Sequence, residues 1–362
     1  MTVLESVSAQ RTRLQGGVGR LARLLTTPLV PADYVDLFSP LSSPATLRAR
    51  VVEVRPETRD AVTLVLQPGH GWRGHVAGQY IRIGVDVDGV RQWRAYSLTE
   101  PPRRDGRLTI TVKAIEDGVV STHLVRRARP GLLVTLDQAT GDFTLPSRRP
   151  AKALFVTAGS GITPVMGMLR DGLDDLTDAV MVHCAPTASD VIYGAELRQL
   201  AASGRLRLVE RHDDVHGMLR IDQIAELVPD FAERETWVCG PTGLLDAAEA
   251  FWAGHGIADR MHTERFRPTI VVPGEGGAVA FTASEVSVDC DGATPILTAG
   301  EAAGVLMPSG CRMGICFGCV VPLREGAVRD LRTGELTTAA DGDGIKIQTC
   351  ISAAAGACRI DL

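Results

Sequence analysis

Residues 153–164 read Ala153-Leu154-Phe155-Val156-Thr157-Ala158-Gly159-Ser160-Gly161-Ile162-Thr163-Pro164. A short apolar run, a turn carrying two glycines and then Val165–Arg170 in helical rhythm predict strand, turn and helix. The start of such a helix offers free backbone N–H groups and the positive end of a dipole, which suits a pyrophosphate. The turn is not the G-x-G-x-x-G fingerprint, because Pro164 stands where its third glycine would be. Downstream, Ala179–Cys184, Leu206–Glu210, Thr236–Cys239 and Met261–Phe266 read as strands, with helical stretches at Ala195–Ala202 and Leu244–Trp252. Strands alternating with helices predict a parallel sheet covered on both faces. Cys239-Gly240-Pro241 also follows a strand and precedes a helix. Ligands of such sheets lie at the carboxyl ends of the strands, so both turns face one crevice. By itself a buried thiol at Cys239 reads as ordinary packing.

Upstream of Ala153 the rhythm is different. Leu47–Val54, Ala61–Leu66, Tyr80–Val87, Leu108–Val112 and Leu132–Leu136 are short β-type runs broken by Gly and Pro, with an Asp88-Gly89 hairpin signal. They predict a small antiparallel barrel or sandwich. One strand ends in Arg94-Ala95-Tyr96-Ser97. Alternation puts Arg94 and Tyr96 on one face, with Ser97 at the strand end: a cation, a ring and a hydroxyl. Gly118-Val119-Val120-Ser121 opens a helical run, a second phosphate cradle. Each alone is equally consistent with an ordinary strand or turn.

Beyond the α/β region, Pro268–Gly277 holds two prolines and three glycines in ten residues and reads as a linker. Ala278–Thr282 and Glu285–Val288 follow as strands, then a helix near Pro295–Ala303 and a final strand near Ile345–Gln348. Within this segment lie Cys311, Cys316, Cys319 and, thirty-one residues later, Cys350. That is C-x₄-C-x₂-C with a distant fourth cysteine, the spacing of a [2Fe-2S] site. Gly310, Gly314 and Gly318 let the loop wrap closely around four thiolates. A structural zinc site prefers paired C-x₂-C units or Cys/His sets, and no histidine follows His262. Cys184, Cys290 and Cys358 read as buried small hydrophobes.

The remaining composition narrows the function class. The chain has 362 residues, a formal charge of −5 and only 4% aromatic residues, which argues against a nucleic-acid surface. No apolar run is long enough to cross a membrane as a helix. Eight cysteines in this length are too few for a disulfide scaffold, and thiolate ligation predicts a reducing, cytoplasmic setting. From Ser6 to Ala32 there is no acidic residue, and Leu14, Val18, Leu21, Leu24 and Leu25 form an apolar stripe with basic flanks. It reads as a short helical extension, with docking on a partner or membrane surface as the alternative.

Taken in order, Arg94-x-Tyr96-Ser97, Gly118-x-x-Ser121, Gly159-x-Gly161-Ile162-Thr163-Pro164 and Cys239-Gly240-Pro241 resemble the ferredoxin–NADP⁺ reductase superfamily. The Cys311–Cys350 module resembles a plant-type ferredoxin, and the likeness is strongest to the electron-transfer components of bacterial oxygenases and fatty-acid desaturases. The resemblance implies a helical extension over 1–45, an FAD-binding antiparallel β-barrel over 46–150 and an NAD(P)-binding α/β domain over 151–267. A linker over 268–277 and an α+β, β-grasp [2Fe-2S] domain over 278–362 complete it. Arg94 would pair with the flavin phosphates, Tyr96 pack on the isoalloxazine and Ser97 bond near its N5. Gly118 and Ser121 would meet the pyrophosphate, which favours FAD over FMN. Gly159, Gly161, Thr163, Gly240 and Pro241 would hold the dinucleotide, and Cys239 would lie near the nicotinamide, which replaces the packing reading given above. Glu264 and Phe266 would close the flavin region. Cys311, Cys316, Cys319 and Cys350 would ligate the metal.

The implied activity is NAD(P)H-driven electron transfer through FAD and the cluster to a partner, foremost a fatty-acid desaturase. Other acceptors would be a hydroxylase, a ring dioxygenase or a haem monooxygenase, and a redox-sensing flavo-iron-sulfur protein is the reading from another class. Peripheral placement at the inner membrane face would come through the partner. Arginines expected after the second strand of the nucleotide domain for a 2′-phosphate are missing from Ala185–Asp190, leaving Arg198, Arg205 and Arg211 as substitutes and the choice of coenzyme open. Gly141-Asp142-Phe143 fits the family turn only loosely and is given no role.

Overall fold

The computed structural model describes residues 39–42, 46–87, 89–116, 118–266, 273–310, 312, 314 and 317–362. The N-terminal stripe, Asp88, and the ligand candidates Cys311 and Cys316 lie outside the described residues.

The first domain is built from β1 (Arg48–Thr58), β2 (Ala61–Pro68), β3 (Tyr80–Val87), β4 (Val90–Ser97), β5 (Leu108–Lys113), helix α1 (Val119–Arg127) and β6 (Leu133–Leu136). The sheet order is β4-β3-β6-β1-β2-β5, antiparallel wherever strands pair, and a bridge from Leu98 to Ile110 joins its two edges into a barrel. Closure removes the exposed edges that would otherwise invite pairing with other chains. Val51, Leu64, Leu66, Ile81, Ile83 and Ile110 fill the interior, and α1 plugs one end with Val120 and Leu124. β2 is apolar on every position from Ala61 to Leu66 except Thr63, because both of its faces are covered. Its Leu64 side faces the barrel core, while Ala61 packs into the next domain.

The second domain contains β7 (Lys152–Ala158), α2 (Ile162–Gly172), β8 (Asp178–Ala185), α3 (Gly194–Ala202), β9 (Arg207–His212), β10 (Glu235–Cys239), α4 (Thr242–Gly254) and β11 (Met261–Glu264). All neighbours in the order β11-β10-β7-β8-β9 are parallel. One face packs Phe155, Met181 and Trp237 under α2 and α3; the other packs Val156, Val182, Val238 and Trp252. The chain moves outward one way from β7 through β8 to β9 and the other way from β10 to β11, so the turns after β7 and β10 diverge and open a crevice between them.

The third domain runs β12 (Gly277–Phe281), β13 (Val286–Cys290), α5 (Ile296–Ala302), β14 (Val320–Asp330), β15 (Leu336–Ala339), β16 (Lys346–Gln348) and β17 (Ser352–Ile360). Its order is β13-β12-β17-β14-β15, with β12 and β17 parallel and β16 paired to β14. Here the structure corrects the sequence reading. The last strand is β17, paired on both sides, and β16 is only three residues long. Ala353-Ala354-Ala355-Gly356-Ala357 carries no β-branched residue, so local propensity hides a strand that tertiary pairing enforces. β14 is masked in the same way by Pro322 and Gly326, the latter close to a shift of register.

Candidate functional site

The flavin-box residues sit where β4 runs alongside β3, with Arg94 opposite Ile83, Tyr96 opposite Ile81 and Ser97 opposite Tyr80. Arg94 donates to its neighbour, the Trp93 carbonyl, at 2.7 Å and to Gln92 at 3.4 Å, and among the described residues no carboxylate pairs with it. Burial pushes its guanidinium down to about 10, Arg312 of the third domain adds to this, and Glu301 opposes it. A half-buried cation with no carboxylate partner among the described residues calls for an anion. Burial also pushes the Tyr96 phenol up, so it stays neutral. Ser97 Oγ is sealed from solvent and has no hydrogen-bond partner among the described residues.

The second cradle forms at the start of α1. Ser121 Oγ donates to the Gly118 carbonyl at 3.2 Å and accepts from the Ile115 amide at 3.4 Å. A Cβ on Gly118 would lie 2.3 Å from Ser121 Oγ and 2.4 Å from the Ile115 side chain, so any other residue here would have to displace both. An unpaired cation, an orphaned buried hydroxyl and a glycine-bounded helix start together fit a flavin with a diphosphate tail.

In the crevice, Gly159 takes a left-handed φ of 54° with open space beside it, the close backbone approach a bound dinucleotide requires. A Cβ on Gly161 would lie 2.1 Å from the Cys239 carbonyl oxygen, so the two turns pack against one another. Thr163 donates its hydroxyl to the Ser160 carbonyl at 2.9 Å and thereby braces the turn. Pro241 caps α4, and the amides of Leu244 and Leu245 close back on its carbonyl. Cys239 pairs in register with both Thr157 and Glu264 and is fully buried; burial pushes its thiol well up, with Glu264 adding to the effect. Burial pushes the Glu264 carboxyl from 4.5 up to about 8, and Oε2 has no partner among the described residues. Phe266, just beyond β11, is partly exposed.

Glu264 also lines a 780 Å³ cavity between the barrel and β11, together with Tyr80, Gly141, Asp142, Phe143 and Thr263. The Gly141–Phe143 turn, given no role above, therefore forms one wall of it. Gly141 takes a φ of 115°, and a Cβ there would lie 3.1 Å from the Tyr80 ring. The glycine was a legible signal for this turn. The barrel and nucleotide domain are pressed together at α2, where a Cβ on Gly167 would lie 2.5 Å from the Leu98 carbonyl, next to Ser97.

Of the four cysteines, Cys319 and Cys350 are described, both buried. A hydrogen bond from Cys350 is the largest cause holding the Cys319 thiol below its ordinary range, so the start of β14 and the turn after β16 bring two sulfurs together. Thr349 bonds the Cys319 carbonyl through both its amide, at 3.2 Å, and its hydroxyl, at 3.1 Å. Gly314 at φ 75°, Arg312 at 60° and Phe317 at 55° give the loop three left-handed residues, two of them strained. The Gly314 carbonyl accepts from Gln348 at 3.1 Å and Arg332 at 3.4 Å. Two adjoining buried thiols, Cys319 and Cys350, beside a loop with three left-handed residues fit part of a [2Fe-2S] ligand set. Of the three candidate arginines, Arg198 is paired with Glu210 at 3.0 Å and Arg205 with Asp174. Arg211 donates to the His216 carbonyl at 3.1 Å and keeps its Nε buried without a partner.

The oxidoreductase FAD-binding domain family matches residues 49–145, the oxidoreductase NAD-binding domain family 155–250 and the 2Fe-2S iron-sulfur cluster binding domain family 280–355. The chain is 48% identical over 351 residues to an NADPH oxidoreductase of Mycobacterium tuberculosis, covering 95% of this chain and 91% of the relative. It belongs to the ferredoxin–NADP⁺ reductase family, in the branch with a C-terminal [2Fe-2S] domain. The family's cofactors are accordingly FAD, NAD(P)H and a [2Fe-2S] cluster, and its chemistry is NAD(P)H-dependent electron transfer. Another member, the stachydrine N-demethylase reductase subunit of Rhizobium meliloti, is 31% identical, covering 82% of this chain and 91% of its own. Phthalate dioxygenase reductase shares the fold with a TM-score of 0.62 at 23% identity, over 88% of this chain and 98% of that one. Among the described residues no helix is long and apolar enough to cross a membrane.

Proposed function

We propose that this family member is the reductase component of an oxygenase system, taking reducing equivalents from NADPH and delivering single electrons to a fatty-acid desaturase. The observation that carries the core of this reading is the presence, in one chain, of the flavin-box Arg94 without a carboxylate partner among the described residues and of the adjoining buried thiols Cys319 and Cys350 in the third domain. When bound, FAD would supply the conversion of paired electrons to single ones and a [2Fe-2S] cluster their exit.

The chain's own residues are assigned as follows. Arg94 and the Gly118–Ser121 helix start neutralise and orient the flavin phosphates, Tyr96 supplies the ring face, and Ser97 Oγ meets the flavin near N5. Gly159, Gly161, Thr163, Gly240 and Pro241 shape the coenzyme crevice, and Cys239 sits at the nicotinamide. Burial raises the Glu264 carboxyl to about 8 and so favours its protonated form, and Oε2 is placed to hold or release a proton beside that position. Phe266 shields the flavin region. Cys311, Cys316, Cys319 and Cys350 ligate the cluster.

Oxygenase partnership is supported by relatives named as reductase subunits of stachydrine and glycine betaine systems. NADPH is favoured by the 48% identical relative's name and by Arg211, whose spare buried Nε–H stands at the end of β9. A desaturase is the choice among acceptors because the basic, apolar stripe Leu14–Leu25 suits a membrane-bound partner. Reconstituted turnover with NADPH or NADH and each acceptor class tests this. Desaturation outpacing hydroxylation, ring dioxygenation and haem reduction is the expected result. Transfer to a soluble hydroxylase alone would overturn the desaturase assignment.

A further inference from the structure

Polar bonds between the barrel and the nucleotide domain converge on one tyrosine. Tyr193 directly precedes α3 and takes a left-handed backbone, φ 60° and ψ 20°, which a side chain other than glycine's disfavours. It is buried, and its hydroxyl reaches across the domain boundary to hydrogen-bond Thr111 of β5, with Thr63 of β2 at 3.4 Å. Thr63 and Thr111 share a 2.6 Å bond, and Thr63 also donates to Glu57 at 2.6 Å. On the other side, the Arg170 guanidinium of α2 lies 4.6 Å from the Tyr193 ring centroid. Arg170 is held by Glu196 through two bonds, at 2.9 and 2.5 Å, and donates to the Thr99 carbonyl at 2.6 Å. Thr99 lies two residues beyond Ser97, and Tyr193 closes the segment that leaves β8 beside the coenzyme crevice. Asp190 in that segment pairs with Arg59 of the barrel at 3.2 Å. A strained tyrosine held from both domains is a sign that its geometry matters.

We propose that Tyr193, clamped by Arg170, is a positioning residue for hydride transfer: it fixes the nucleotide domain against the flavin barrel and so sets the approach of the nicotinamide to the flavin. The inference rests on the reading of this chain as an NAD(P)H-dependent flavin reductase. The reaction moves one hydride from the dihydronicotinamide carbon to a flavin nitrogen, oxidising the first and reducing the second. Its rate depends steeply on that approach, while binding of either group alone does not.

The test uses FAD-loaded full-length holoenzyme under anaerobic stopped flow with NADPH. Tyr193→Phe should slow flavin reduction about tenfold with the KM for NADPH within about threefold. It should also weaken the long-wavelength charge-transfer absorption formed when NADP⁺ is added to photoreduced enzyme, an equilibrium signature that a merely structural role leaves alone. Thr111→Val should reproduce both changes and Thr111→Ser should restore them, which keeps the test alive should Tyr193→Phe fold poorly. Unchanged reduction rate and charge-transfer absorption in folded Tyr193→Phe and Thr111→Val, whatever their melting temperatures, would overturn the proposal alone. Wild-type enzyme reduced by neither NADPH nor NADH would overturn the functional reading, and this inference with it.

Discussion

Replacing Glu264 by Gln removes an ionisable group from the site and keeps its shape. Burial raises the Glu264 carboxyl to about 8 from 4.5. Between those values the folded chain keeps a proton that the unfolded chain releases, so stability falls as pH rises through that window. At about 1.4 kcal/mol per pH unit the full span corresponds to roughly 4–5 kcal/mol, and solvent access through the adjoining cavity reduces it to about 2 kcal/mol. Gln at this position carries no such penalty. The melting temperature of Glu264→Gln should therefore match wild type near pH 5 and exceed it increasingly towards pH 8.5, by about 2–3 °C for a chain of this size. Matched scanning calorimetry of flavin-loaded protein across that range reads the difference directly. A constant offset, or a gap that closes as pH rises, would show that Glu264 is ionised in the folded state and refute the assignment of its proton.

Three further outcomes follow from the site. Arg94→Gln removes the half-buried cation and should lower FAD affinity by about 10–100-fold, measured by titrating apoprotein; Arg94→Lys should recover only part of it, because an ammonium cannot match the planar fork. Cys319→Ser should lose most of the bound iron, measured with the flavin spectrum as internal standard, while NADPH still bleaches the flavin; intact iron content would remove Cys319 from the ligand set. Tyr193→Phe should slow hydride transfer with little change in coenzyme affinity, as described above.

The parts of this fold that follow local rules were legible. The β-branched, apolar run Ala61–Leu66 signalled a strand, and Ala153–Pro164 signalled the strand, turn and helix that bound the crevice. The cysteine spacing is a covalent requirement and so survives in sequence whatever surrounds it. β17 was not legible because its alanines carry no propensity and its pairing is set by strands far away in sequence. Nor was the Tyr193 clamp, whose partners Thr63 and Thr111 come from strands some 80 to 130 residues distant. The surroundings of Arg198 and Arg205 were not legible for a related reason. Each arginine is taken up by a carboxylate brought near only by folding, Glu210 in one case and Asp174 in the other.

The most direct test of the account is an anaerobic reductive titration of the as-purified chain, with flavin, iron and zinc quantified on the same sample. The account predicts one FAD and about two irons per chain, full reduction after about 1.5 equivalents of NADPH, and a low-temperature paramagnetic signal from the reduced cluster. A colourless chain carrying zinc, or one whose flavin is reduced by a single equivalent with no paramagnetic signal, would contradict it.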